Sequence, residues 1–244
     1  MIAPRVISLD LDDTLWPVTP VIEAAEIALL SWLRTHHPRA AAGHDIESLR
    51  TLRDCIAERF PDQGHDMTFL RRRALAELFA AAGYAGLPAV ESLAAAGLPA
   101  AGPLAAGTPV EEALEVFMKE RNHVELYDDV RPALARLRST YRLFAVSNGN
   151  ADLDRCGIAE LFDGHITASA AGAAKPDRRI FAHLLHVAGV EAHEVLHIGD
   201  DPLADVIGAT QAGMRAVWLN REARTWPEQF APPLRTISTL AEIM

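Results

Sequence analysis

From about residue 127 onward the chain alternates short apolar runs with longer helical patterns, which leaves few architectures open. Tyr141 to Val146, Gly164 to Thr167, residues 194–198 and Arg215 to Leu219 read as strands. Between them lie helical patterns at Arg131 to Ser139, Asp177 to Ala188 (closed by Gly189) and about 202–212, with a shorter one near Ala151 to Cys156. Strands that alternate with helices predict a parallel sheet covered on both faces. A further apolar run at about residues 5–11 supplies the first strand. In such sheets ligands bind beyond the carboxyl ends of the strands.

Those ends are polar. The first strand runs into Asp10, Asp12 and Asp13, three carboxylates within four residues. Crowded anions at a strand end are costly unless a cation sits there, so a bound metal ion is the natural resolution. Asp10 and Asp12 are two apart, the strand period, and share one side if extended geometry persists. One carboxylate can then attack a substrate while the other handles protons. The plainer alternative is an acidic turn capping the next helix. Ser147 ends the second strand, Lys175 precedes Pro176 at a helix start, and Asp200 and Asp201 follow a later strand, with Asp205 beyond. Taken singly, each has an ordinary reading as a helix cap or a solvated surface residue.

Asp10-Leu11-Asp12-Asp13-Thr14-Leu15, Ser147-Asn148-Gly149-Asn150, Lys175-Pro176 and Gly199-Asp200-Asp201 with Asp205 occur in that order. The ordered set resembles the signature motifs of the haloacid dehalogenase superfamily, and more narrowly its small-molecule phosphatases. His65-Asp66-Met67-Thr68, with Arg71 and Arg73 after it, adds a likeness to the bacterial flavin mononucleotide phosphatases of riboflavin synthesis. The resemblance implies an α/β fold: a Rossmann-like parallel-sheet core at 1–16 and 125–244, with an α-helical cap inserted at 17–124.

It also implies roles. Asp10 would be the nucleophile that accepts the phosphoryl group, and Asp12 the acid and base for leaving oxygen and water. Ser147, Asn148 (through its backbone amide) and Lys175 would hold phosphoryl oxygens. Asp10, the Asp12 carbonyl and Asp200 would bind Mg²⁺, with Asp205 supporting them from behind and Asp201 either helping or capping a helix. His65 and Arg71, in the cap, are the candidates for substrate choice; the plain alternatives are a helix-start residue and a solvated helix arginine. An Asp at position 12 favours phosphate esters over halides, since a halide leaves without a proton. The expectation is a Mg²⁺-dependent phosphomonoester hydrolase acting on a small phosphorylated metabolite, either flavin mononucleotide or a related ribityl phosphate. The rivals are a nucleotide or sugar phosphatase, a phosphomutase, a dehalogenase and a non-catalytic binding protein of the same fold.

Composition narrows the partners. Half of the 244 residues are hydrophobic, enough for a substantial core, and the net charge is −10. A bulk acidic chain is repelled by phosphate backbones, which argues against nucleic acid as the main partner. Cys55 and Cys156 form no Cys-x-x-Cys pair, and the ten histidines show no zinc spacing. No apolar run approaches the roughly 20 residues of a spanning helix, and Met1 to Arg5 leads straight into the first strand. A cytoplasmic protein is therefore expected. Between the first strand and residue 127 the pattern is helical, at Val21 to Leu33, Ile46 to Phe60, Asp66 to Ala82 and Glu111 to Asn122. In residues 86–109, rich in Ala, Gly and Pro, a short helix at Ala89 to Ala96 competes with a loop or lid element, which the interleaved glycines and prolines favour; a tolerated surface insertion without function is the plain alternative.

Overall fold

A computed structural model describes residues 3–84 and 107–243. The Ala/Gly/Pro-rich segment therefore lies outside the described residues except at its end, where Thr108 caps a helix. The chain forms two compact units, Met1–Val18 with Val124–Met244, and Thr19–His123.

The helical unit is built from α1 (Val18–His36), α2 (Pro38–Ala41), α3 (Ile46–Arg59), α4 (Met67–Ala81) and α5 (Pro109–Arg121). Side-chain caps start three of these helices. Asp45 accepts from Ser48 N–H, Asp66 from Phe69 N–H and Thr108 from Glu111 N–H, each satisfying a donor the helix cannot. Ala25, Leu29 and Leu33, four apart on α1, share a core with Leu75, Phe79, Leu114 and Phe117. Each large apolar side chain buried there contributes roughly 1.5–3 kcal/mol.

The other unit is the sheet. Strands β1 (Val6–Leu9), β2 (Arg142–Ser147), β3 (Gly164–Thr167), β4 (Val195–Gly199), β5 (Arg215–Leu219) and β6 (Thr236–Ile237) lie in the order β3-β2-β1-β4-β5-β6. Every pairing is parallel. The chain builds outward from β1 to β3, then returns to place β4 on the opposite side of β1. That reversal makes the β1/β4 boundary a topological switch point. All four residues of β1 are buried, as a central parallel strand requires. The helices α6 (Val130–Arg138), α7 (Ala168–Ala171), α8 (Arg178–Ala188) and α9 (Gly208–Gln211) belong to this unit. Ile180, Phe181 and Leu184 of α8 pack with Val6, Phe144, Val146, Val195 and Trp218 of the sheet. Val130, Ala133, Leu134 and Leu137 form the buried stripe of α6. This is the α/β parallel-sheet fold expected.

Several expected boundaries move. No helix forms at Ala151 to Cys156. Asp152 Oδ1 instead accepts from the N–H groups of Asp154 and Arg155, and Gly157 turns the chain at φ 67°. That side chain competes with the helical backbone bonds and wins a turn. The expected helix at 202–212 begins as a π-helical turn, Pro202–Ile207, before α9. The first helix runs on to His36, beyond the expected Leu33, and Pro38 starts α2. The strand β6 was not anticipated; two residues are too short to show a period.

Candidate active site

Three neighbouring strands deliver polar residues to one end of the sheet. Asp10 follows β1, and its N–H still bonds Ile198 O at 2.9 Å. Ser147 is the last residue of β2, its Oγ accepting from Gly149 N–H at 2.9 Å. Asp200 follows Gly199, the last residue of β4. Lys175 reaches the same place from the loop after α7. The Asn148 side chain ties that loop to the end of β2: its Nδ2 donates to Lys175 O at 2.9 Å, and Lys175 N–H donates to its Oδ1 at 2.7 Å.

Lys175 joins the carboxylates. Its Nζ donates to Asp10 Oδ1 at 2.5 Å and to Asp205 Oδ1 at 2.6 Å, and its side chain is only 2 % exposed. Asp205 sits on the π-helical turn, a local feature often found at functional sites. Gly199 makes room for it: a Cβ there would fall 2.2 Å from Asp205 Cγ. The N–H of Asp201 donates to Asp205 Oδ2 at 3.0 Å. Of the two readings of Asp201, the side chain takes the capping one, accepting from Leu203 and Ala204 N–H.

The first motif does not stay extended. Asp13 turns the chain in the left-handed region at φ 57° and accepts from Val18 N–H at 2.9 Å. Asp12 is held by Trp16, whose indole Nε1–H donates to Asp12 Oδ1 at 2.9 Å. Asp200 is held by Arg224, which donates to its Oδ2 at 2.9 Å and its carbonyl at 2.7 Å. Trp16 and Arg224 are site residues that sequence reasoning missed. Trp16 could have been found, because it lies four residues from Asp12; nothing in the sequence ties Arg224 to Asp200.

The charges are unbalanced. Asp10, Asp200 and Asp205 each present an oxygen within 4.8 Å of the others; among the described residues Lys175 pairs with Asp10 and Asp205, and Arg224 with Asp200, two cations for three carboxylates. Burial, with the neighbouring Asp205 and Asp200, pushes the Asp10 carboxyl well above the usual range although Lys175 opposes it. Burial and Asp205 push Asp200 up to about 6. Against its own burial, Asp205 is held well below the usual range by Lys175 and His197. Burial alone would lower Lys175, but its two carboxylate partners raise it. The donors are all hard oxygens, and a divalent cation such as Mg²⁺ suits both the charge and the ligand type.

In the helical unit His65 is half-buried in the turn before α4. Arg71 is not a solvated helix residue. It is 8 % exposed, with its guanidinium over the Phe117 ring at 3.5 Å from the centroid. Burial, with Arg53 adding, lowers it to about 10.

The chain matches the haloacid dehalogenase-like hydrolase family over residues 4–213. It is 31 % identical over 241 residues to the 5-amino-6-(5-phospho-D-ribitylamino)uracil phosphatase YigB of Escherichia coli, covering 97 % of this chain and 93 % of that one. A phosphoserine phosphatase of Thermus thermophilus is 35 % identical over 147 residues, covering 57 % of this chain and 59 % of that one. Among solved structures, a 2-haloacid dehalogenase from Pseudomonas syringae superposes with a TM-score of 0.83 at 33 % identity, covering 98 % of this chain and 95 % of that one. The chain belongs to the haloacid dehalogenase-like hydrolases, as one of their phosphatases.

Proposed function

We propose that the chain is a Mg²⁺-dependent phosphomonoester hydrolase that works through an aspartyl-phosphate on Asp10. The observation that carries this reading is the buried Lys175 bridging Asp10 and Asp205 at the strand ends. Asp205 already accepts from Lys175, His197 and Asp201, which leaves Asp10, Asp200 and the Asp12 carbonyl to hold the ion. Bound there, Mg²⁺ would supply charge neutralisation to the phosphoryl group. Lys175 supplies a second positive charge beside Asp10.

The chemistry of the chain's own residues follows. An Asp10 carboxylate oxygen attacks phosphorus, and the bond from phosphorus to the leaving oxygen breaks. Asp12 gives that oxygen its proton. The ionised Asp12 then takes a proton from water, whose oxygen attacks the aspartyl-phosphate. Inorganic phosphate leaves and Asp10 is restored. Trp16 fixes the direction of the Asp12 carboxyl for both proton transfers. Ser147 and the Asn148 amide are the further phosphoryl contacts in this reading.

The substrate class proposed is a ribityl phosphate of riboflavin synthesis, on the strength of the Escherichia coli relative, with flavin mononucleotide as the related ester. Nucleoside monophosphates and sugar phosphates are the alternatives, and nucleic acid is not a partner. Every phosphomonoester presents the same group to the sheet unit, so the helical unit acts as the cap that selects the leaving group. His65 and Arg71 are its proposed contacts, Arg71 through its N–H edge, since Phe117 covers one ring face. Among the described residues no helix is long and apolar enough to cross a membrane. A cytoplasmic location, the expectation from the sequence, is part of this proposal.

The likeness to a 2-haloacid dehalogenase raises a second reading, which Asp12 opposes because a halide needs no proton. A release screen separates them. Phosphate is expected from ribityl phosphates with higher kcat/KM than from nucleotides, sugar phosphates or p-nitrophenyl phosphate, and only with Mg²⁺. Chloride release from 2-chloropropionate without phosphatase activity would overturn the proposal.

Proton competition gives a further expected result. With Asp200 at about 6 in the metal-free protein, a proton must leave before the ion binds. Lowering the pH from 7 to 5 should therefore weaken Mg²⁺ binding, by about tenfold per pH unit below 6 from Asp200 alone and more steeply where the raised Asp10 carboxyl must also lose its proton. Calorimetric titration without substrate measures this, and a flat profile would remove Asp200 from the ligand set.

A further inference from the structure

Behind Lys175 the hydrogen bonds continue into the sheet. His197 Nε2 lies 3.2 Å from Asp205 Oδ1, the oxygen that also accepts from Lys175. His197 Nδ1 lies 2.8 Å from Ser8 Oγ. Ser8 on β1 and His197 on β4 are register partners at the switch point, and both are fully buried. Phe181 packs edge-on against the imidazole, with ring centroids 5.5 Å apart. Two polar side chains in the middle of an apolar sheet are costly, about 1–3 kcal/mol for each group left unsatisfied.

For a neutral imidazole, the form that burial favours, only one proton arrangement satisfies them all. Asp205, in contact with the Lys175 ammonium, is a carboxylate and can only accept. The imidazole must therefore donate from Nε2. Its Nδ1 is left with a lone pair, and the Ser8 hydroxyl must donate to it. Asp205 then receives donors on both oxygens, from Lys175 and His197 on one and from Asp201 N–H on the other. We infer that Ser8 and His197 are positioning residues: they hold Asp205 in the one orientation that presses the Lys175 ammonium against the nucleophile. Neither residue touches the substrate. Nothing in the first motif or in Gly199-Asp200-Asp201 assigns them a task; their placement comes from the register of β1 on β4.

The test uses the full-length protein in two ways. Nitrogen-15 NMR of the His197 ring reads the tautomer and does not depend on the hydrolase reading. A proton on Nε2 and a bare Nδ1 are expected, and Ser8→Ala should mix in the Nδ1–H form. The kinetic arm rests on the proposed hydrolysis. His197→Leu should lower kcat for p-nitrophenyl phosphate about 10–100-fold, the usual cost of losing an outer partner. His197→Gln, whose amide can donate to Asp205, should recover most of that loss at equal folded fraction, which a merely space-filling role would not predict. Ser8→Ala, the milder change, should lie between. A proton on Nδ1 in the unsubstituted protein, or equal kcat for the Leu and Gln variants, would overturn the inference. Absence of phosphate release from every ester would count against the proposed function and leave the NMR result to judge the positioning claim.

Discussion

Asp10→Asn is expected to abolish turnover, by on the order of 10⁴-fold or more, while leaving the fold intact. A neutral amide cannot accept the phosphoryl group, and no other carboxylate in the cluster is equivalent. Asp205 is saturated by Lys175, His197 and Asp201, and Asp200 is turned toward Arg224. The stability side has a definite sign. Asp10 is raised above the usual carboxylate range in the folded protein, by burial and by its acidic neighbours. Its ionised form is therefore disfavoured by folding at every pH above the unfolded value, about 4. Asn carries no such cost, so the metal-free variant should melt at or above the temperature of the unsubstituted protein at pH 7. That advantage should fade below about pH 4, where the unfolded Asp also binds its proton. Phosphate release and thermal melts at the two pH values check both halves. Retained turnover would remove Asp10 from its role, and a large fall in melting temperature would mean that Lys175 needs Asp10 more than Asp10 costs.

The sheet was legible from the sequence because its strands are continuous apolar runs between turn signals. Gly164–Thr167 and Arg215–Leu219 fall where the pattern places them. The meeting of Asp10, Ser147 and Asp200 was legible for the same reason: each ends a strand, and a parallel sheet gathers such ends. What sequence could not show is which group holds which. Asn148 was expected to offer a backbone amide, yet its side chain also sews the Lys175 loop to β2. Asp205 could be placed behind the metal ligands by resemblance, but its grip on Lys175 depends on a π-helical turn and on the missing Cβ of Gly199. Arg71 read as an ordinary helix arginine or a substrate contact because periodicity gives a residue's helix and not its neighbours; Phe117, 46 positions away, covers it. Trp16, Ser8 and His197 drew no reading of their own from the sequence, because they sit within or beside apolar segments. Their burial is real, and their polar atoms do the rest.

Lys175→Met should cost stability as well as activity, which distinguishes it from Asp10→Asn. The lysine is the shared donor of two buried carboxylates, and removing it leaves both without that cation. Breaking a buried pair from one side costs about 3–5 kcal/mol, which for a chain of this size lowers the melting temperature by about 6–20 °C. Turnover should fall with it, since phosphoryl transfer next to Asp10 loses its fixed positive charge. Two further measurements show that charge is the cause and not a packing defect. Mg²⁺ should raise the melting temperature of the Met variant more than that of the unsubstituted protein, because the ion meets a more negative site. Adding Asp205→Asn to Lys175→Met should recover part of the lost stability, since the second change removes one of the stranded charges. Contacting residues of this kind depart from additivity by about 0.5–3 kcal/mol. Recovery in the double variant, with no recovery of turnover, is the expected pattern. If the two losses merely add, Lys175 is held by packing and the electrostatic account of this site is wrong.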